Sequence, residues 1–303
     1  MKIRKIRSSS INSYKFCPWQ FFLEYVLEME SLSGKSALQG TIVHSVLQWI
    51  ALSRTKGLKQ PDHIKLLEKS WKYHLDRNPH ITNLRRTTSR GDAADYKKCL
   101  YSIEKVLESI YNPYKLNIIA TEHTFNLPLP DDDLKDQVLS GTIDLVHKLN
   151  DDTLEIVDWK SGKRKDWATL KDKDFYDLMK DVQPRIYHLA CFLMYPQYKN
   201  IIATFYYIND GGPVTLPFTI EDLPYTMAAI RRFINTVKND SNIYRNRSWK
   251  CKNFCHYGRH GICEQTWKDR YAKGLKFVET KYHGLTVEQQ IIDNQSCGIL
   301  NNA

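Results

Sequence analysis

The sequence of 303 residues predicts an α/β or α+β core that is preceded by a lobe of helices. Two observations support this fold class. Apolar residues recur at helical spacing through the first third of the chain, and runs rich in Ile, Val and Thr follow from about residue 117. A third feature, a cluster of cysteines near the C-terminus, predicts a metal-binding region outside this core.

The clearest helix is predicted over Lys35–Ser53, because apolar residues recur every four positions from Leu38 to Ile50. Strands are predicted over 117–129, 137–149 and 153–159, and the turn at Asn150-Asp151-Asp152 joins the last two into a hairpin. The remaining predicted elements are helices at 10–29 (broken at Cys17-Pro18), 62–76, 92–111, 176–195 and 221–237, and strands at 201–208 and 214–218. The cysteine-rich segment 249–263 is predicted to be a loop, and the polar last forty residues give no assignment.

Composition favours a folded protein that stays inside the cell. Apolar residues make up 42% of the chain, and the sequence contains no apolar run long enough for a membrane span. The basic N-terminus lacks the apolar core of a signal peptide, so we expect a cytoplasmic location. A virus-encoded protein is compatible with this expectation. In that compartment the seven cysteines are expected to be thiols or metal ligands.

The net charge of +10 favours a polyanionic partner, and nucleic acid is the commonest one. A merely basic protein is the alternative on charge alone. The sequence Gly34-Lys35-Ser36 resembles the end of a phosphate-binding loop, but Met29 stands where that motif needs its first glycine. No ATPase motor is therefore predicted, and any unwinding would require a helicase or recombination partner.

Candidate catalytic residues lie on the predicted hairpin. Side chains alternate along a strand, so Asp158 and Lys160 share one face, and the hairpin can bring Asp144 onto it. Carboxylate oxygens at one spot suit Mg²⁺ or Mn²⁺, and a lysine can offset charge on a phosphorane. The alternative is an ordinary ion pair, since Asp-x-Lys also occurs at Asp95 and Asp133.

These residues resemble motifs of the PD-(D/E)XK nuclease superfamily, in particular its RecB-like branch. The motifs follow one another in the family's order from about residue 8 to residue 263: Ser8–Tyr25 with Cys17-Pro18, Gly40-x-x-x-His44, Gly141-x-x-Asp144, Asp158-x-Lys160 and Gln183-x-x-x-Tyr187. The resemblance implies a restriction-endonuclease-like core with a central mixed sheet flanked by helices. It also implies one nuclease domain over 1–265, with a helical lobe at about 35–115, and an extension of unknown role at 266–303.

The resemblance assigns a role to each matching residue. His44, Asp144 and Asp158, with the main-chain carbonyl of Trp159, would bind the metal, and Lys160 would be the catalytic lysine. Gln183 and Tyr187 would position that lysine and the DNA, and their four-residue spacing places them on one helix face. Glu122 lies on the strand before the hairpin, and we interpret it as a surface strand residue in preference to an additional ligand.

The iron–sulfur members of this branch combine one N-terminal cysteine with three C-terminal ones. Here Cys17 with Cys251, Cys255 and Cys263 would bind a [4Fe–4S] cluster, although the spacing C-x3-C-x7-C is wider than the family's usual C-x2-C-x5-C. A zinc site formed by the three C-terminal cysteines and His260 is the alternative. Cys99 and Cys191 fall in apolar helical patterns and are predicted to pack in the core. Cys297 lies in the unassigned tail.

By resemblance, the expected activity is hydrolysis of single-stranded DNA or DNA ends, with 5′→3′ exonuclease polarity favoured. Recombination, repair, end processing and viral genome metabolism are all compatible with such an enzyme. Two other functions stay open at this point. One is a non-catalytic, zinc-containing DNA-binding protein, and the other is a structure-specific endonuclease on the same fold.

Overall fold

The structure is a computed structural model that describes residues 4–82, 84, 95–165, 171–240 and 243–296, with backbone alone for 293–296. The first predicted residues of the helix at 92–111, and Cys297, lie outside the described residues. The chain divides into two compact units. The first contains Met1–Ser33, Leu129–Val138 and Arg231–Ala303, and the second contains Gly34–Pro128 and Leu139–Ile230.

The strands and helices have the following bounds. The strands are β1 (Lys5–Ile6), β2 (Ile118–Pro128), β3 (Val138–Lys148), β4 (Thr153–Lys160), β5 (Asn200–Tyr207) and β6 (Gly212–Thr219). The helices are α1 (Ser8–Phe16), α2 (Pro18–Phe21), α3 (Lys35–Thr55), α4 (His63–Arg77), α5 (Asp95–Glu108), α6 (Phe175–Lys180), α7 (Val182–Met194), α8 (Leu223–Asn239), α9 (Lys250–Asn253), α10 (His256–Arg259), α11 (Ile262–Lys273), α12 (Leu275–Tyr282) and α13 (Val287–Ser296). None of the described helices is long and apolar enough to cross a membrane.

The second unit is built on a mixed sheet, which confirms the predicted α/β class. Its strand order is β2-β3-β4-β5-β6, with β4 and β5 parallel and the pairs β3–β4 and β5–β6 antiparallel. The predicted hairpin is present, because β3 and β4 pair on either side of the turn at 149–152. Helices α3, α4 and α5 share an apolar core with this sheet, in which Ile42 and Val46 are fully buried together with Trp159.

The first unit joins the two ends of the chain. Trp19 and Phe22 of the N-terminal segment are fully buried in a core that also contains Tyr257 and Ile262. The indole of Trp19 stacks on Phe22 with ring centroids 5.1 Å apart, and its Nε1 donates to the Thr266 hydroxyl. This core therefore ties residues from the beginning of the chain to α11.

Two predicted elements differ from the structure. The helix predicted over 176–195 is two helices, because Asp181 adopts extended backbone and its carboxylate caps α7 by accepting from the Gln183 N–H. The sequence predicts a loop for the cysteine-rich segment, but the segment forms α9, α10 and the start of α11. Helices of four residues are too short to show an apolar period, so the sequence pattern could not reveal them.

Candidate active site

The candidate active site lies where β3 and β4 separate. Regular pairing ends with Leu145 opposite Val157, and the next opposed residues along the two strands are Asp144 and Asp158. At that point the N–H of Trp159 donates to the Asp144 carboxylate, with N and Oδ2 2.8 Å apart. The backbone thus fixes Asp144 directly beside Asp158, on the side of the hairpin away from its turn.

Helix α3 brings a histidine to the same point. Nδ1 of His44 lies 3.3 Å from Oδ2 of Asp144. A carboxylate oxygen of Glu122 completes a group in which one ligand atom from each of His44, Glu122 and Asp144 lies within 4.8 Å of the others. Among the described residues, this is the one set of three candidate ligands that meets this spacing. A nitrogen and two carboxylate oxygens suit Mn²⁺, and the carboxylates suit Mg²⁺.

The position of Glu122 corrects its interpretation as a surface strand residue. Its side chain is half-buried and faces Asp144, and its φ of 46° lies in the left-handed region. A left-handed residue within a strand is typical of a β-bulge, which turns a side chain away from its regular alternation. The backbone conformation of β2 therefore directs this carboxylate into the site.

Asp158 is held by a network of side chains. Its Oδ1 accepts hydrogen bonds from Nε2 of Gln183 (3.0 Å) and the hydroxyl of Tyr187 (2.9 Å). Its Oδ2 lies 2.6 Å from Nζ of Lys160, and that ammonium also donates to Oε1 of Gln183 at 3.3 Å. The Gln183–Tyr187 pair therefore orients both the carboxylate and the lysine, through the four-residue spacing that the sequence shows.

The site carries more negative charge than its own cations balance. Burial raises the pKa of Glu122, and the nearby Asp144 carboxylate adds to this, so that the value is about 7. Burial opposes protonation of His44, but the charge of Asp144 prevails and raises its pKa to about 9. Burial also opposes the charge of Lys160, yet the Asp158 carboxylate holds the lysine's pKa above its usual value. A divalent cation would relieve this excess, so these residues fit a metal ion.

Two glycines permit the close packing around the site. A Cβ atom at Gly40 of α3 would lie 2.8 Å from Oγ of Ser161, just after β4, and one at Gly141 would lie 2.7 Å from the ring of Phe125. The site opens into a cavity of about 1140 Å³, which we call the catalytic cavity. His44, Glu122, Asp144 and Lys160 are all among its lining residues.

The other two Asp-x-Lys sequences form ordinary ion pairs. Asp95 begins α5, where its carboxylate contacts Nζ of Lys35 at 2.7 Å and accepts from Gln39. Asp133 lies in the first unit and pairs with Arg231. Neither aspartate belongs to a group of candidate metal ligands among the described residues.

Four cysteines of the first unit surround one small cavity: Cys17, Cys251, Cys255 and Cys263. Backbone N–H groups point at two of the sulfurs, from Asn246 to Cys17 and from Ser248 to Cys251, each at 3.4 Å. Burial raises the pKa of Cys255 to about 11 and that of Cys263 to about 12, and the nearby Cys17 contributes to both.

Four thiols around one cavity are a donor set that an iron–sulfur cluster can take, and among the described residues they form no compact zinc site. Tetrahedral Zn–S bonds of about 2.3 Å require sulfurs about 3.8 Å apart. Among the described cysteines and His260, no three ligand atoms all lie within 4.8 Å of one another, and His260 does not line the cavity. N–H···S hydrogen bonds like those from Asn246 and Ser248 are among the contacts that tune a cluster held by thiolates. Cys99 and Cys191 are buried in α5 and α7, as predicted.

The sequence matches one family of known proteins over most of its length. The sequence profile of the PD-(D/E)XK nuclease superfamily matches residues 8–264, a range that contains every site residue named above. Among solved structures, the chain resembles a candidate exonuclease from Eubacterium rectale, with 15% identity and a TM-score of 0.48 over 84% of this chain and 87% of that one. No curated protein matches the sequence significantly.

Proposed function

The chain belongs to the PD-(D/E)XK nuclease superfamily, and from that premise we propose that it is a Mg²⁺- or Mn²⁺-dependent deoxyribonuclease. The observation that carries this proposal is the convergence of His44, Glu122 and Asp144 beside the Asp158–Lys160 pair in one cavity. We propose an exonuclease that acts on single-stranded DNA or DNA ends. The 5′→3′ direction rests on the resemblance to the RecB-like branch alone.

In this proposal His44, Asp144 and Asp158, with the carbonyl of Trp159, would hold the metal, and Glu122 would join them. The ion would supply Lewis acidity, which polarises the phosphoryl group and lowers the pKa of water. Lys160 places its ammonium at the same point, where it offsets negative charge that develops on the phosphorane. Gln183 and Tyr187 keep that ammonium and the Asp158 carboxylate in fixed positions through the hydrogen bonds described above.

We further propose that Cys17, Cys251, Cys255 and Cys263 bind a [4Fe–4S] cluster, as the iron–sulfur branch of the family would. Such a cluster would join residues more than two hundred positions apart within the first unit, and its assembly would add to the stability of that unit. Gly258 supports this local packing, because a Cβ atom there would overlap the carbonyl oxygen of Cys251.

The decisive experiment compares Lys160→Ala with Lys97→Ala on end-labelled single-stranded DNA, with Mg²⁺, with Mn²⁺ and with chelator. Lys97 also follows an aspartate by two residues, but it lies exposed on α5, so it is a matched control. We expect Lys160→Ala to lose at least about 100-fold in rate, as loss of a charge-stabilising group in a site does, and Lys97→Ala to retain wild-type activity.

Each outcome separates the candidate functions. Equal activity in the two variants would refute the assignment of Lys160. Metal-independent DNA binding without hydrolysis in the wild type would favour the non-catalytic DNA-binding protein. A circular single strand resists an exonuclease, so its cleavage would favour the endonuclease. The position of the end label reports polarity.

A further inference from the structure

A second cavity of about 610 Å³ adjoins the catalytic cavity. Ser36, Ser161 and Gly162 line both cavities, so the two meet at the first turn of α3 and the segment that follows β4. Both cavities lie wholly within the second unit. The two cavities are therefore neighbours beside the candidate metal ligands, and we call them together the groove.

The second cavity is basic. Lys98, Lys163 and Lys165 are among its lining residues, whereas none of the described residues that line it is acidic. Two of these lysines also contact carboxylates outside the cavity lining, Lys98 that of Asp95 at 4.0 Å and Lys165 that of Asp172 at 3.1 Å. We call it the lysine cavity. Tyr101 also lines it, with 57% of its surface exposed and Nζ of Lys105 4.6 Å from its ring centroid. This cavity thus offers cations for phosphates together with an exposed aromatic ring.

The far side of the catalytic cavity repeats this combination. Trp49 and Tyr73 line it, with 55% and 51% of their surfaces exposed, and Lys69 lies beside them on α4. The Arg77 guanidinium lies 3.7 Å from the Tyr73 ring centroid, which leaves the other face of that ring for a base. Trp49 follows His44 by five residues on α3, which places it about 7.5 Å further along the helix axis. Aromatic rings and lysines therefore flank the candidate metal ligands on both sides.

We propose that one strand of DNA lies along this groove, with bases stacked on Trp49 and Tyr73 on one side of the metal ligands and on Tyr101 on the other. The lysines of both cavities would contact its phosphates. Stacking on aromatic side chains requires an exposed base face, which a single strand offers and a duplex hides within its own stack. This inference rests on the proposed function, since it assigns the residues that would hold the single strand at that site.

Binding in the presence of chelator tests the groove without strand cleavage. We would measure the Kd of fluorescein-labelled dT12 by anisotropy for the wild type, Tyr101→Ala and Trp49→Ala. Loss of one stacking platform should weaken binding by about tenfold. The control is Tyr225→Ala, because Tyr225 is 71% exposed in the second unit and lines neither cavity.

The salt dependence of Kd tests the phosphate contacts. Each phosphate contact on a single strand contributes about 0.7 to the slope of log K against log[salt]. We expect the double variant Lys98→Ala/Lys163→Ala to lower this slope by about 1.4. The double variant Lys180→Ala/Lys199→Ala removes two exposed lysines that do not line either cavity, and it should leave the slope unchanged.

Gly162 allows the junction of the two cavities to be blocked. A Cβ atom there meets nothing within 4 Å, and the backbone is not left-handed, so Gly162→Trp adds an indole at the junction without a clash at its Cβ. Affinity in the wild type should rise from dT4 to dT12, and in Gly162→Trp it should stay near the dT4 value. Gly34→Trp is the control, because Gly34 is equally open and lines neither cavity.

The results distinguish this inference from the proposed function. Either of two results would overturn the groove even if the protein cuts DNA. The first is that the wild type binds duplex DNA as tightly as single-stranded DNA. The second is that the variants of Tyr101, Trp49, Gly162 and the lysines behave like their controls. Wild-type protein that shows the expected binding pattern but cuts no DNA with Mg²⁺ or Mn²⁺ would overturn the proposed function instead.

Discussion

The left-handed backbone at Glu122 makes a prediction about stability that reverses the usual order of glycine and alanine. At an ordinary strand position, glycine is about 0.5–1 kcal/mol less stable than alanine because it loses more conformational freedom on folding. A non-glycine residue in the left-handed region costs about 1–2 kcal/mol, which glycine avoids. At φ 46° the second effect is larger than the first. Glu122→Gly should therefore be more stable than Glu122→Ala by about 0.5–1 kcal/mol.

The comparison of two alanine–glycine pairs isolates this backbone effect. Both substitutions at 122 remove the carboxylate, so the charge of Asp144 affects them equally. Thr124, two residues along β2, has no left-handed backbone and contacts the hydroxyl of Thr142. Thr124→Gly should be less stable than Thr124→Ala, in the normal order. Thermal unfolding in chelator measures both pairs, and each kcal/mol corresponds to about 2–4 °C for a folding unit of 150–250 residues.

A metal titration completes the test. If Glu122 is a ligand, Mn²⁺ should raise the Tm of the wild type through mass action, and both variants at 122 should gain less at the same concentration. If the glycine variant is less stable than the alanine variant at both Glu122 and Thr124, the argument from strain is refuted. An equal gain with Mn²⁺ in the wild type and in Glu122→Gly would refute the role of Glu122 as a ligand, whatever its backbone does.

Three further predictions concern single residues. Tyr187→Phe removes a hydrogen bond to a charged carboxylate and should lower kcat about tenfold with little change in KM, whereas an effect confined to KM would contradict the positioning role. Cys17→Ser should abolish the brown colour and most of the iron of anaerobically purified protein. Cys99→Ser alters a cysteine that does not line the cavity of the four cysteines, so it should keep both. A colourless wild type that contains zinc would refute the cluster. Burial lowers the pKa of His188 to about 4 in the folded protein, so on acidification the unfolded chain binds a proton at a higher pH than the folded protein does. The free energy of unfolding should therefore fall as the pH drops from about 6.5 to 4. Urea midpoints across that range should fall less for His188→Gln, and an equal fall in both proteins would assign the effect to other groups.

The parts of the site that local rules control could be predicted from the sequence. The turn at Asn150–Asp152 fixes the register of its hairpin, so the meeting of Asp144 with Asp158 follows from strand alternation. Gln183 and Tyr187 are one helical turn apart, and they do contact each other, at 2.8 Å. The fold class likewise follows from the order of helical and strand patterns.

Tertiary packing determines the remaining features. The left-handed conformation of Glu122 has no sequence marker, because glutamate is not a residue that favours positive φ. The capping of α7 by Asp181 splits a helix whose apolar pattern continues across the break. The two units each combine segments far apart in sequence, and no change in composition marks where one unit ends.

The three Asp-x-Lys sequences show what separates a metal site from an ion pair. Asp95 is one carboxylate with Lys35 at 2.7 Å and Lys98 at 4.0 Å, so its charge is balanced by lysines and a cation would add nothing. Around Asp158, by contrast, two further carboxylates lie nearby, so three negative groups meet one lysine and one histidine. That excess is costly in a buried place unless protons or a metal ion neutralise it. The number of acidic groups that meet in space therefore predicts the metal, and it depends on Glu122, the residue that the motif does not include.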